Sequence, residues 1–348
     1  MQRERNASGV TAGRSMWVKR RRLASFAIAI AASFGAMGAL AMDDVTFATN
    51  WLISGKNAGY FTAIEKGFYA EQGLHVAISR GNGSGDTIKR IAAGESDFGL
   101  SDTASLISSQ TNDGVPVKMV GLMFGKSSVA ILYVEEAGIR TPKDLIGKKL
   151  GRSAAGASVI MFPGFLKANG IDRSKIEEVV VNASSFLPLL LSKKADAVLD
   201  QSSYLGRYRQ GAQGSGLTIK AFRFADWGMD LYGDGIIVNQ KTIETKPDVI
   251  RRFMTATLKG NAYAFDHPEE AIAILRKTNP EIDPEVGKEE LLDTKELAMT
   301  KEVADHGLGY IDEQHMSRVR DITVDALGLK KKIPVKDIYT LEFLPAKH

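Results

Sequence analysis

Residues 45–100 read VTFATNWLISGKNAGYFTAIEKGFYAEQGLHVAISRGNGSGDTIKRIAAGESDFGL, and short apolar runs alternate there with helical patterns. Val45–Asn50 and Leu74–Ser79 have the composition of buried strands. Tyr60–Gln72 and Asp86–Ala93 have helical patterns, and each is followed at once by a glycine. Strands and helices that alternate in this way are typical of an α/β domain with a largely parallel sheet.

The alternation continues and then restarts, which predicts a second unit of the same class. Val129–Val134 is predicted to be the last strand of the first block, and a polar connection, Gly138–Gly151, follows it. Ile236–Asn239 is predicted to return to the first block, and the chain from Pro247 onward has mostly helical patterns. The predicted organisation is lobe one, first part, 42–140; lobe two, 141–232; and lobe one, return strand and C-terminal helices, 233–348.

Composition narrows the class of protein. The chain has 348 residues, and 44% hydrophobic with 25% charged residues is the balance of a packed globular protein. It has no cysteine, which excludes disulfides, thiolate metal ligands, a cysteine nucleophile and a lipidated N-terminal cysteine. Residues 1–41 hold seven of the 45 Lys and Arg and one of the 41 Asp and Glu, so residues 42–348 carry 38 basic against 40 acidic residues. This near-neutral body predicts no nucleic-acid partner.

The N-terminus has the pattern of an export signal. Lys19-Arg20-Arg21-Arg22 precedes an uncharged alanine-rich run, and Ala39-Leu40-Ala41 fits the small-x-small rule of signal peptidase. We therefore expect a cleaved signal peptide over 1–41, a mature N-terminus near Met42 and a soluble protein in a Gram-negative periplasm. An uncleaved anchor is the alternative, because 18 apolar residues is about the shortest span. The arginines leave Sec and twin-arginine export both open, and Met16 is a second possible start.

Several segments, in this order and spacing, resemble the periplasmic solute-binding proteins of the nitrate/sulfonate/taurine and thiamine-precursor ABC importers. They are Asn50-Trp51, Asn57–Leu74, Gly81–Asp86, Ala93–Gly99, Thr141–Lys149 and Gly156–Ser158. The resemblance extends over about 45–325. It implies a two-lobed periplasmic binding protein of type II, in which each lobe is a mixed, mostly parallel sheet flanked by helices, with two hinge crossovers. It also implies a monomer that needs no cofactor, binds a small molecule and delivers it to an ABC permease in the inner membrane.

Strand ends supply the candidate binding residues. In open α/β sheets, ligands bind beyond the carboxyl ends of strands and against helix N-termini. Trp51 follows the first strand, where its ring either stacks on a flat ligand or packs under lobe one. Asp102 and Asp200 are either ligand contacts or helix caps, and Tyr232 is either a cleft wall or a loop aromatic. The candidate ligand-binding residues are Trp51, Asn57, Ser84, Ser101, Asp102, Thr103, Gly156, Ser158, Asp200, Gln201 and Tyr232.

Motifs that imitate other functions fail on spacing. Gly81-x-Gly83-x-Gly85 would need its third glycine at Asp86 to be a dinucleotide fingerprint, and Gly125-Lys126-Ser127 lacks the first glycine of a phosphate-binding loop. The five histidines are scattered, so no metal site is predicted. No serine lies in a Gly-x-Ser-x-Gly elbow, and no catalytic residue is predicted.

The leading hypothesis is therefore a periplasmic binding component of an ABC importer. Asp102 and Asp200 disfavour a bare anion and favour a small polar nitrogen-containing solute, including heteroaromatic, thiamine-precursor-like compounds. A sulfonate- or nitrate-type oxyanion is the alternative, with Arg152 and the helix start at 155–158 as donors. An enzyme like the eukaryotic thiamine-pyrimidine synthase is a further alternative, but that synthase uses a cysteine-rich motif and a histidine where this chain has Ala58. A role as a periplasmic sensor also stays open.

Overall fold

The computed structural model describes residues 42–346, so the predicted signal peptide over 1–41 lies outside the described residues. The described chain contains two five-stranded sheets flanked by helices. The strands are β1 Asp43–Ala48, β2 Leu74–Ser79, β3 Phe98–Asp102, β4 Val117–Leu122, β5 Val129–Val134, β6 Lys149–Arg152, β7 Glu177–Val180, β8 Ala197–Gln201, β9 Ile219–Arg223 and β10 Asp234–Asn239. The helices are α1 Ala58–Glu65, α2 Phe68–Glu71, α3 Ser84–Ala93, α4 Thr103–Asp113, α5 Ala157–Ala168, α6 Phe186–Leu191, α7 Leu205–Gly211, α8 Gln240–Thr245, α9 Pro247–Asp266, α10 Pro268–Arg276, α11 Pro284–Ala298, α12 Lys301–His306, α13 Glu313–Leu327 and α14 Val335–Ile338.

The first sheet has the order β2-β1-β3-β10-β4 and forms lobe one. β1 pairs in parallel with β2 and β3, whereas β10 is antiparallel to both β3 and β4. Four of the five strands therefore point the same way. The sheet buries Phe47 and Phe98 against α9, where the Phe98 and Phe253 rings stack with centroids 3.8 Å apart. The predicted return of Ile236–Asn239 to this sheet is confirmed, because β10 lies between β3 and β4.

The second sheet has the order β7-β6-β8-β5-β9 and forms lobe two. Here β5 is antiparallel to β8 and β9, and β6 is parallel to β7 and β8, so four of five strands again share a direction. The predicted mixed, mostly parallel sheet in each lobe is confirmed.

Two expectations about the boundary between the lobes are wrong. Val129–Val134 is a strand, but it lies in the second sheet rather than the first. All six of its residues are buried, and an uninterrupted apolar run identifies a buried strand without saying which sheet it joins. The predicted connection Gly138–Gly151 also contains most of β6, in which only Leu150 and Gly151 are buried. Strands this short give little periodic signal.

Two crossovers run side by side between the lobes. The first joins β4 to β5 and the second joins β9 to β10. The Ser127 amide donates to the Leu231 carbonyl at 2.9 Å, and the Gly233 amide donates to the Phe124 carbonyl at 2.9 Å. These backbone bonds hold both connections together, so that rotation of one lobe against the other is concentrated there.

The C-terminal helices pack mainly on lobe one, and α13 also contacts lobe two. Gly164 of α5 packs closely on Ala326, and the Lys167 ammonium donates to the Asp325 carbonyl at 2.9 Å. Within residues 42–346, no helix has both the length and the hydrophobicity of a membrane span.

Candidate ligand-binding cleft

A narrow cleft lies between the carboxyl ends of the strands of the two lobes. It is nearly closed, and the roughly 270 Å³ of empty space around its lining includes space that is open to solvent. The loops after β1 and β2 contribute from lobe one, and the start of α5 and the end of β8 contribute from lobe two. The lining residues are Asn50, Trp51, Gly83, Ser84, Gly156, Ala157, Ser158, Asp200 and Gln201.

Trp51 lies where the two lobes meet. A Cβ atom built on Gly83 of lobe one or on Gly156 of lobe two would lie 3.7 Å from the same Cζ3 atom of the Trp51 ring. Both glycines have positive φ, +125° and +137°, which side-chain-bearing residues rarely adopt. The Trp51 indole N–H is buried and has no hydrogen-bond partner among the described residues. Trp51 also packs against the buried cluster of lobe two that contains Tyr204 and Tyr208, so its ring contacts both lobes while its indole N–H has no partner within residues 42–346.

A buried lysine connects the lobes at the floor of the cleft. Lys56 is 1% exposed, and its ammonium donates to Asn50 Oδ1 at 3.4 Å, Gln201 Oε1 at 3.1 Å and Asp234 Oδ2 at 3.4 Å. The Asn50 amide in turn donates to Ser84 Oγ at 3.3 Å. This network joins lobe one, lobe two and the second crossover.

Buried carboxyl groups surround this lysine. Burial first, and the neighbouring negative charge of Asp234 second, raise the pKa of Asp102 to about 7. Burial also raises the pKa of Asp200 to about 6, although the hydrogen bond from the Tyr208 hydroxyl, at 2.6 Å, opposes the shift. The cleft can therefore exchange protons near neutral pH.

Ion pairs close one side of the cleft. Three arginines of lobe two pair with three glutamates of α11, a helix that packs in lobe one. The pairs are Arg207–Glu290 at 3.3 Å, Arg209–Glu289 at 3.7 Å and Arg223–Glu296 at 3.4 Å. Tyr204, which is buried, adds a neutral contact between the lobes by donating its hydroxyl to the Leu52 carbonyl at 3.3 Å.

Two wider grooves lie near the cleft, and one of them shares Trp51 with it. One, of about 1,010 Å³, is lined by Trp51, Arg80, Asn82, the 153–155 loop and 180–184. The other, of about 1,110 Å³, lies on the side of the ion pairs and is lined in part by Arg80 and Arg207. A solute larger than the cleft can therefore extend into open space beside Trp51.

The structure brings together some of the predicted site residues. Those that line the cleft are Trp51, Ser84, Gly156, Ser158, Asp200 and Gln201. Asp102 lies directly behind the lining: its amide donates to Ser84 Oγ at 3.1 Å, and its carboxylate caps α4 by accepting the Ser105 amide at 2.9 Å.

The other predicted residues have structural contacts instead. Asn57 accepts the Ser54 amide, the Ser101 hydroxyl donates to the Asp102 carbonyl, and Thr103 donates to the Gly233 carbonyl at the second crossover. Tyr232 is completely buried, packs against His315 with the two rings tilted by 45°, and donates to Glu302 Oε2 at 2.6 Å. The lining described above therefore includes none of these four residues.

Lys56, Glu290 and Arg207 were missed from the sequence, and Asn50 was named only as part of a segment. Asn50 could have been found from its place after β1. Lys56 follows a glycine in a short turn and is not part of a recognisable motif, and Glu290 lies in the middle of a charged helix.

Arg152, the predicted anion donor, is held by Glu178 and by the Ser153 carbonyl. Among residues 42–346, no group of three or more His, Cys, Asp or Glu side chains could hold a metal ion.

Two mixed sheets joined by paired crossovers, with a polar cleft at the facing strand ends, define the fold of the periplasmic solute-binding proteins. The chain belongs to the NMT1/THI5 like family, whose model matches residues 55–271.

Relatives in this family have several names. The riboflavin-binding protein RibY of Chloroflexus aurantiacus is 25% identical over 312 residues, which cover 87% of each chain. The formylaminopyrimidine-binding protein of Halalkalibacterium halodurans is 25% identical over 68% of this chain and 70% of its own. Other relatives, including one from Legionella pneumophila, are named 4-amino-5-hydroxymethyl-2-methylpyrimidine phosphate synthase. The structure also resembles the aliphatic sulphonate binding protein SsuA of Escherichia coli, with a TM-score of 0.67 and 15% identity over 88% of this chain and 94% of that one.

Proposed function

We propose that this protein is the substrate-binding component of an ABC importer and captures a small polar solute that contains nitrogen in a flat ring. The observation that carries the proposal is Trp51, which lines the cleft, contacts both lobes with its ring and has a buried indole N–H without a partner among the described residues. A ring face suits a planar solute, and a buried free donor suits a solute with an acceptor atom.

Capture needs a change in the angle between the lobes. The cleft side chains are supplied by both lobes, so a solute makes all its contacts only when the lobes are together. A solute that binds this state better than the open one shifts the population toward closure. The paired crossovers supply the hinge, and no chemical step is required.

The charge of the cleft supports a nitrogen-bearing solute over an oxyanion. Asp200 lines the cleft and Asp102 lies directly behind Ser84, and a carboxylate repels a bare anion unless it is protonated. Arg152 is already paired with Glu178. Two relatives are named for binding riboflavin and formylaminopyrimidine, both of which contain nitrogen rings.

Binding rather than synthesis is the function that we propose, although some relatives are named synthases. The chain has no cysteine, and Ala58 stands where the synthase-like pattern has its histidine.

We further propose that residues 1–41 direct export, that the mature protein is a periplasmic monomer, and that its partner is an inner-membrane permease.

A melting-temperature screen of residues 42–348 tests the proposal. The probes are riboflavin, aminopyrimidines, alkanesulfonates and nitrate, because a compound that binds only the folded state raises the melting temperature. We expect a rise with a nitrogen heterocycle that is recovered unchanged from the complex. A rise with sulfonate or nitrate alone would support the oxyanion alternative, and a converted compound would support an enzyme. If no compound gives a rise, the proposed solute class is wrong.

The matched control is Trp227, the other tryptophan of the described residues, which does not line the cleft. Trp227 lies in lobe two and packs edge-on against Phe222, with centroids 5.5 Å apart. Trp51→Phe should weaken the response to the heterocycle, and Trp227→Phe should leave it unchanged.

A further inference from the structure

Lys56 has the contacts of a bound ligand rather than those of an ordinary ion pair. Its ammonium can donate three hydrogen bonds, and it has an acceptor within 3.1–3.4 Å in each of three separate segments. Asn50 belongs to lobe one, Gln201 to lobe two, and Asp234 begins β10 of lobe one directly after the second crossover. The three oxygens therefore form one acceptor set, which is complete only when the lobes are together.

This acceptor set opens on the cleft. Asn50 and Gln201 both line it, and the Lys56 side chain reaches them from the turn Gly55–Asn57. The Tyr204 ring lies 5.9 Å from the ammonium and adds an aromatic face to the surroundings of the charge.

The buried carboxyl groups near Lys56 include an alternative partner for its ammonium. Four buried carboxyl groups lie in one connected set: Asp102, Asp200, Asp234 and Glu290. Two cations, Lys56 and Arg207, interact with this set. Glu290 Oε1 accepts no hydrogen bond from the described residues, although Arg207 lies 3.3 Å away and Lys56 is close enough to act on its charge. If Lys56 leaves its three acceptors, Glu290 is therefore available as its new partner.

We propose that Asn50, Gln201 and Asp234 form a subsite for a primary ammonium or amino nitrogen, and that Lys56 fills this subsite as an internal ligand. A solute nitrogen binds there in competition with Lys56, which turns toward Glu290. This inference rests on the proposed binding function, whose solute class it narrows to compounds that carry an amino group. An amine that makes no other contacts cannot displace Lys56 and is excluded. A solute that also makes further contacts, such as stacking on Trp51, can displace the lysine.

The experiment removes the internal ligand and adds a replacement. Lys56→Ala deletes the ammonium and the chain that carries it, and n-propylammonium has the size and charge to restore both. We expect n-propylammonium to raise the melting temperature of Lys56→Ala in a saturable way, by about 3 °C at ten times its dissociation constant. The neutral isostere 1-propanol should give no saturable rise.

Two matched variants show where the amine binds. Lys56→Met fills the space without a charge and should not respond to n-propylammonium, nor should the wild-type protein, in which Lys56 holds the acceptors. Adding Gln201→Leu to Lys56→Ala removes one acceptor and should lower the affinity for n-propylammonium at least tenfold.

Equal responses of Lys56→Ala to the amine and to the alcohol, or no response to either, would overturn the inference. If Lys56→Ala does not fold alone, the same comparison is made on the yield of refolded protein with n-propylammonium or 1-propanol present. A yield that is the same with both additives would also overturn it. No imported solute is used, so these results are independent of the solute screen.

Discussion

The pairing of Arg207 with Glu290 gives a quantitative test of how the two lobes are held together. The Glu290 side chain is completely buried, and it accepts the Gly55 amide at 2.8 Å in addition to facing Arg207 at 3.3 Å. Burial raises the pKa of Glu290 to about 7, and the positive charge of Arg207 is the largest effect that opposes this shift. Replacing Arg207 by methionine should therefore raise the pKa of Glu290 further.

The cost of Arg207→Met should depend on pH. The folded protein binds a proton at Glu290 between the ordinary pKa of 4.5 and about 7, so stability falls as the pH rises through this interval. At pH 8 the variant leaves a buried charge without its partner, which costs about 3–5 kcal/mol in fully buried pairs. The Arg207 side chain is 35% exposed, and solvent screening reduces the expected cost to about 2 kcal/mol, or roughly 30-fold in the unfolding constant. At pH 5 Glu290 is protonated, and the cost should be small.

Urea unfolding of residues 42–348 at pH 5 and pH 8, followed by circular dichroism, measures this difference. Arg209→Met is the matched control, because Arg209 and Glu289 are 55% and 46% exposed and such a pair contributes about 0–1 kcal/mol. The double variant Arg207→Met/Glu290→Gln should recover most of the loss at pH 8. If Arg207→Met costs the same at both pH values, or no more than Arg209→Met at pH 8, the assigned role of the buried glutamate is wrong.

Three further predictions concern the cleft and the N-terminus. Burial first, and the charge of Asp234 second, raise the pKa of Asp102 from 3.8 to about 7, so the free energy of unfolding should fall as the pH rises from about 4 to 7. In urea unfolding, the free energy of unfolding of Asp102→Asn relative to the wild type should be higher at pH 8 than at pH 4 by on the order of 2 kcal/mol. A difference between the two proteins that does not vary with pH would contradict this. Calorimetry should show that Trp51→Ala weakens binding of the solute found by screening about 5- to 150-fold. Asp200→Asn should also weaken binding if the solute donates an N–H to this carboxylate, whereas unchanged or tighter binding by Asp200→Asn would favour an oxyanion. N-terminal sequencing of the exported protein should find a start near Met42, and an intact leader on membrane-bound protein would refute export by cleavage.

Local structure was largely predictable, because it depends on residues close together in the sequence. The expected bounds of the strands Leu74–Ser79 and Val129–Val134 agree with the structure. The predicted helix Tyr60–Gln72 is instead two helices, α1 and α2, on either side of Gly67. The sheet to which Val129–Val134 belongs was not predictable, because sheet membership depends on where the chain crosses between lobes and not on the strand itself.

The site was predictable only where a general rule fixes the position of a residue. Trp51, Gly156 and Gln201 line the cleft because they follow the ends of strands or begin a helix there. Lys56 and Glu290 reach the same region from a turn and from the middle of a helix. Their convergence depends on how α11 packs over the turn, which no local pattern specifies.

Position at a strand end does not by itself separate a ligand contact from a structural one, and the hydrogen-bond partners of each side chain are a second guide. Asp102 uses its carboxylate to cap α4, and Tyr232 gives its hydroxyl to Glu302, so each has a partner within the fold. Trp51 lines the cleft, and its buried indole N–H has no partner among the described residues. A buried donor without a partner destabilises the protein by about 1–3 kcal/mol. A solute that accepts this hydrogen bond would remove that cost on binding, and this gain is the contribution that the proposed binding function assigns to Trp51.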